Sequence, residues 1–268
     1  MAIVTLATSP AFAPSAAAPH PRAANRFFQL TSVVLLAIVL TGFSRTFFLR
    51  SLFQVPPIAM HVYVHALAMT GWFVLFVVQT SLVAAHRTDL HRRLGILGAV
   101  LAMFLVVITA VTALGLPAHY KVDHVPNGIP MTEDGMIRIA WVNFGSVALF
   151  AILVTTALAL RRRPDTHKRL MLVASMVLVG PALGRYIAYL NIWKSASSIP
   201  QFASVLLIVT TITVVAMPLA LVAHDLRTAR RLHPATLWAT ISYLPVGVGF
   251  NIIVPATAAG RALVTALQ

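Results

Sequence analysis

Seven stretches of the chain are each apolar for at least the ~20 residues that a helix needs to cross a bilayer, and they are almost free of charge. They run approximately over 27–48, 58–85, 94–116, 139–160, 170–192, 202–223 and 235–257. Five contain no Lys, Arg, Asp or Glu, and the other two contain one arginine each, Arg45 and Arg185. A water-soluble domain carries about 25% charged residues; this chain carries 10%, against 59% hydrophobic. The runs are continuous and more than twice the ~10 residues of a barrel strand, so helices are expected rather than a β-barrel. The fold class expected is an all-α integral membrane protein of about seven transmembrane helices.

The segments outside the runs set the organisation. Residues 1–26 are rich in Ala, Pro and Ser, hold no acid, and read as a disordered cytoplasmic tail rather than a signal peptide, since no cation precedes the apolar stretch. A transmembrane domain is expected over 27–260 and a short external tail over 261–268. Pro181, Pro218 and Pro245 fall inside runs, where neighbouring helices can satisfy the carbonyls they free.

The net charge of +14 is distributed asymmetrically. Arg87, Arg92 and Arg93, then Arg161, Arg162, Arg163, Lys168 and Arg169, then Arg227, Arg230 and Arg231 follow the second, fourth and sixth runs. The alternate loops hold few cations, with Asp123, Glu133 and Asp134 among them. The positive-inside rule places the N-terminus in the cytoplasm and the C-terminus outside. The charge then serves topology and lipid headgroups, not nucleic acid.

A slide of 76 residues superposes Asp89, His91, Arg92, Arg93 and Leu94 on Asp165, His167, Lys168, Arg169 and Leu170. Two tandem helical hairpins are expected, over 58–116 and 137–192, related by a pseudo-twofold axis along the membrane normal with the unmatched runs outside them.

With no cysteine and ten histidines, imidazole is the strong nitrogen ligand available. His91 and His167 open equivalent helices and should face each other at one depth. Opposed imidazoles of that kind can hold a haem iron, with Arg92, Arg93, Lys168 and Arg169 near its propionates; headgroup-level histidines are the plainer reading. His61 and His65 share a helix face near the other end, His65 deeper, where metal or haem ligation competes with simple polar contacts. Arg45, His61, His65, Asn143, Arg185, Tyr186 and Asn191 form an expected polar cluster that could receive an anionic group, because charge within a span usually faces the bundle interior. The loop carrying His119, Lys121, Asp123, His124, Glu133 and Asp134 reads as solvated, and Trp72, Trp141, Trp193 and Trp238 as an interfacial aromatic belt. No phosphate loop, zinc-protease helix or Ser/His/Asp arrangement occurs, so no catalytic residue is named.

The stretch Val64-His65-Ala66-Leu67-Ala68-Met69, with Gly71, Gln79, Leu82-Val83 and Leu90-His91, resembles the first core hairpin of the cytochrome b561 family. Arg163-Pro164, His167 and Gly184 resemble that family's last core helix. The resemblance covers roughly residues 64–190. It implies a four-helix core binding b haem, transmembrane electron transfer, and quinone or another redox protein as partner. It departs from the family pattern where Trp141, Val142 and Asn143 replace a histidine of the third core helix. It departs again where Gly95 stands at the usual depth of the second helix's ligand. His65 then resembles an outer ligand without its partner, and His91 with His167 a shifted inner pair, so one haem or none is expected. His91, His167 and His65 are the candidate iron ligands, with Arg185 and Arg45 as further cofactor-binding candidates. The chain is also similar to bacterial multi-pass membrane proteins that share Leu90-His91-Arg92-Arg93-Leu94-Gly95. A small-solute transporter or sensor, and a non-catalytic subunit of a larger membrane complex, stand as the alternatives to electron transfer.

Overall fold

The structure is a computed structural model that describes residues 21–53, 57–119, 133–189 and 215–266. Every regular element among the described residues is helical. Helix α1 spans Pro21–Gly42, α2 Met60–Ala84, α3 Thr88–His119, α4 Glu133–Ala159, α5 Pro164–Val177, α6 Gly180–Tyr189, α7 Met217–Ala229, α8 Pro234–Leu244 and α9 Ala258–Ala266. A π-helical turn, Ser44–Phe48, follows α1, and a longer one, Pro245–Ile253, follows α8 from the proline that begins it. Helix α1 opens at Pro21, inside the stretch expected to be tail, and α9 covers much of the expected external tail. Residues 1–20, the loop 120–132 and most of the sixth run lie outside the described residues.

Three described helices are long and apolar enough to cross a membrane, Met60–Ala84, Thr88–Gly115 and Ile137–Ala159. A fourth span is available if Pro164–Val177 and Gly180–Tyr186, bent by 43°, are one. The bend has a local cause: Pro181 has no N–H to donate to Val177 and its ring crowds that carbonyl. This is a helical protein with membrane-embedded helices.

The helices form a closed ring. Helix α2 packs on α3, α3 on α4 and α4 on α5, and α1 closes the circle between α2 and the α5–α6 unit. Helix α1 is therefore not peripheral, as the repeat alone suggests; Leu35 and Val39 bury 1% and 4% exposed in the shared core. Gly42 permits the closure, because a Cβ there would stand 2.7 Å from the carbonyl oxygen of Ala182 on α6. The waist of the ring is filled by Trp72, Phe73, Leu105, Leu149, Phe150 and Met176. Trp72 thus leaves the expected aromatic belt: it is 3% exposed and donates Nε1–H to Ser175 Oγ at 3.3 Å. Its ring also meets Phe150 edge-on with centroids 5.0 Å apart. An indole goes inward when a buried acceptor satisfies its N–H. Trp141 likewise donates, to the Gly260 carbonyl at 3.0 Å, whereas Trp238 is 69% exposed on the apolar exterior. Trp193 lies outside the described residues.

Candidate functional site

Two short turns build the basic end of the bundle. Helix α2 ends with His86 at φ 59, and the Arg87 N–H returns to the Leu82 carbonyl at 2.8 Å. This is a left-handed helix cap carried by a residue other than glycine. The turn sends α3 back along α2 and puts His91 within its first turns. Residues 160–163 do the same for α4 and α5, with Pro164 at the first position of α5, where its missing N–H costs nothing.

The result is that His91 and His167 meet. Their ring centroids are 6.3 Å apart with planes at 79°. Each ring is held from behind. His167 Nδ1 lies 2.8 Å from the Ala157 carbonyl oxygen of α4, an acceptor, so the neutral ring carries its proton on Nδ1 and leaves Nε2 as its acceptor nitrogen. The Gln79 amide of α2 accepts from the Gly95 N–H at 3.1 Å and donates to His91 Nδ1 at 2.6 Å and to the His91 carbonyl at 3.2 Å. That orientation is assigned from the network, and it puts the proton of neutral His91 on Nε2. The two imidazoles therefore have opposite tautomers.

The four cations beside the pair have different fates. Arg169 is 6% exposed and clamps Asp225 of α7, donating from Nη2 at 2.6 Å and from Nε at 3.0 Å. Asp225 is fully buried and also accepts from Thr236 Oγ1 at 2.6 Å and from the His233 N–H at 3.2 Å. Arg169 is thus committed to a structural pair, not held out for a propionate as expected. Lys168 bridges Asp165 at 2.5 Å and lies over the Phe28 ring at 5.2 Å. Arg92 and Arg93 are exposed. His224, next to Asp225, stacks flat on Phe27 with centroids 4.1 Å apart.

The described residues of the expected polar cluster occupy the opposite end of the ring. His65 Nδ1 stands 3.3 Å from Thr109 Oγ1 of α3 and within electrostatic reach of Arg185 and His61. His61 turns toward α3, its Nε2 only 3.2 Å from where a Cβ on Gly115 would sit. Arg185 lies over the Phe43 ring at 3.9 Å, donating to the Pro181 carbonyl at 2.9 Å and to Thr46 Oγ1 at 3.2 Å. Arg45 is on the surface, over Phe53 at 5.3 Å. Tyr186 meets Thr41 and the Ile38 carbonyl, and Asn143 donates to the Ile139 carbonyl at 2.9 Å. Asn191 lies outside the described residues. The expected cluster therefore separates into a His65–Arg185 neighbourhood and a peripheral Arg45, and none of it reaches His91 and His167. From His65 to Gln79 along α2 is fourteen residues, a rise of about 21 Å.

A cavity of about 50 Å³ lies beside His65, lined also by Thr109, Asn143 and Ser146 and by the α5–α6 break at Val177, Leu178 and Pro181. Among the described residues, no group of three or more His, Asp or Glu side chains is placed to hold a metal ion. Gln79, Thr109, Ser146 and Asp225 were not singled out for these places by sequence reasoning. A signal existed for Asp225, one of only six acidic residues in the chain and the one that follows the sixth run directly. For Ser146 there was none. Comparison with protein-family models, with curated proteins and with solved structures yields no match.

Proposed function

We propose that the chain is a seven-span bacterial inner-membrane protein of tandem hairpins that holds one b-type haem between His91 and His167 and passes electrons across the membrane. The carrying observation is the 6.3 Å between the two ring centroids. A metal–nitrogen bond of about 2.0 Å on each side, plus about 1 Å from each nitrogen to its ring centre, asks for close to that separation. His167 fits such a ligand as it stands, since ligating histidines commonly give their other N–H to a backbone carbonyl. His91 fits once the Gln79 amide presents its oxygen, accepting from Nδ1–H in place of donating to it. When bound, the haem supplies one-electron redox chemistry. The protein's own part is to hold both imidazoles, set their tautomers through Ala157 and Gln79, and keep Arg92 and Arg93 available beside them. His65 meets Thr109 rather than a second imidazole, which supports one centre and not two. The resemblance to the cytochrome b561 core supports the same reading, with quinone or a redox protein as electron partner. The cytoplasmic N-terminus and external C-terminus belong to this proposal and rest on the cation distribution.

The visible spectrum of protein purified from haem-replete cells tests it. A sharp reduced-state α band is expected, lost in a His91→Ala, His167→Ala double variant and retained in His65→Ala. Colourless protein overturns the reading. Reporter fusions after Arg93, Arg169 and Arg231 should read cytoplasmic, and fusions near Asn127 and Ser197 external.

A further inference from the structure

The break between α5 and α6 leaves backbone groups without their helical partners. Pro181 offers no N–H to the Val177 carbonyl, and the Ala182 N–H goes to Val179 at 3.0 Å, so it is not available to Leu178. Val177 and Leu178 both line the 50 Å³ cavity, and across it stand His65, Thr109, Asn143 and Ser146. The amide nitrogen of Asn143 and Nδ1 of His65 are already engaged. Among the described residues, the Asn143 oxygen, the Ser146 hydroxyl and His65 Nε2 have no hydrogen-bond partner. A carbonyl without a partner in an apolar bundle is costly, and a bound donor recovers that cost.

We propose that this cavity is a water-binding site, in which a small cluster of waters bridges the freed carbonyls of the helix break to Asn143, Ser146 and His65. Size and chemistry both select water. An apolar cavity that takes up benzene measures about 150 Å³, three times the volume here, whereas a water needs little more than one probe sphere and two to four polar partners. No carboxylate lines the cavity, and Arg185 touches its rim through the Phe43 ring, so a metal cation is disfavoured. The waters do for the 43° bend what neighbouring side chains do at other proline breaks: they satisfy the opened backbone and leave it able to pivot. They also give His65 Nε2 a partner inside the bundle, beside the Thr109 hydroxyl that meets Nδ1. The inference does not depend on haem.

Synchrotron hydroxyl-radical footprinting in nanodiscs, without added oxidant, tests the site, because millisecond radiolysis generates radicals from waters held in place. Met69 lines the cavity, Met176 is 1% exposed in the dry waist, and Met103 is 66% exposed on the apolar exterior. Sulfoxide formation at Met69 should exceed that at both other methionines several-fold. In an Asn143→Leu, Ser146→Ala variant, which fills the space and removes two partners, Met69 should fall to the level of Met176. Equal rates at Met69 and Met176 in the unaltered protein overturn the proposal, and so does an unchanged Met69 rate in a folded variant. Because the comparison within the unaltered protein is complete in itself, a variant that fails to fold does not remove the test.

Discussion

Helices α3 and α5 begin with nearly the same residues, Asp, His, a cation, Arg and Leu at matched positions, and yet the two arginines end in opposite environments. Arg93 is exposed; Arg169 is 6% exposed and locked to a carboxylate that has no exposure at all. The local sequence does not make the difference. Asp225 arrives from α7, which packs on α5, and Thr236 and the His233 N–H complete its shell. A buried guanidinium is tolerable only with a partner of this kind, so Arg93, which has none, stays in solvent. The histidines beside them differ in the same manner. His167 is held by a backbone carbonyl of α4, His91 by the side chain of Gln79. Two segments of matching sequence thus keep a helix and a histidine each, while their neighbours decide which arginine bears load and which stays in solvent.

The largest break in this comparison should come from Asp225→Ala, which leaves Arg169 buried and uncompensated at a cost of about 3–5 kcal/mol. Denaturant or thermal unfolding in nanodiscs should show that loss. Arg93→Met should stay within about 0.5 kcal/mol of the unaltered protein, since it removes only an exposed charge. Equal effects from both would mean that the Arg169 pair carries no load.

Gln79→Leu should cost about 1 kcal/mol, the net worth of a side-chain hydrogen bond, and leave the His167 environment untouched. The His91 and His167 ring proton signals in NMR of selectively labelled protein separate the two, and a shift confined to His167 would contradict the assignment of Gln79 to His91.

Acid should act on the α7 side in two steps. Burial, helped by the Arg169 charge against the pull of Asp225, holds the His224 and His233 imidazoles below their usual range. The unfolded chain therefore binds protons first, and stability falls as pH drops below about 6.5. Burial pushes the Asp225 carboxyl up, but the bonds from Arg169 and Thr236 prevail and hold it below the ordinary carboxylate range. Its contribution is then complete above pH ~3.9 and is lost as pH falls through the lower folded value. Stability measured from pH 8 to pH 4 should decline on a shallow limb that is reduced in His224→Phe. A flat profile over that range would remove the histidine step.

The smallest expected effect separates the two matching helix starts by volume. Gly95 corresponds to Met171, and a Cβ built on Gly95 meets nothing within 4 Å. Gly95→Ala should stabilise α3 by up to about 1 kcal/mol through helix propensity. A loss of stability, read in the same unfolding assay, would show that the glycine is needed for close approach at Gln79.

How far the sequence could be read depends on what each residue type can do alone. Long uncharged runs admit little besides membrane helices, because an unpaired backbone group is too costly in hydrocarbon, so the all-helical class was legible without coordinates. The 76-residue shift likewise pointed to His91 and His167 as matching positions, and the structure brings their ring centroids to 6.3 Å with the planes at 79°. Trp72 was misread because its composition and place in a run match a belt residue as well as a core residue; the Ser175 hydroxyl on another helix decides between them. Arg45 and Arg185 are each the lone charge of a run, the first near its end and the second about two-thirds along, and depth alone favours an interfacial place for Arg45 over Arg185. The α5–α6 bend brings Arg185 over Phe43 and beside the cavity, and the π-helical turn after α1 leaves Arg45 on the surface. Hydrophobic patterning is a property of one helix and survives in the sequence. The burial of Arg169, the tautomer of His91 and the cavity at Pro181 each depend on a group from another helix, and only the packing of the ring brings those groups within reach.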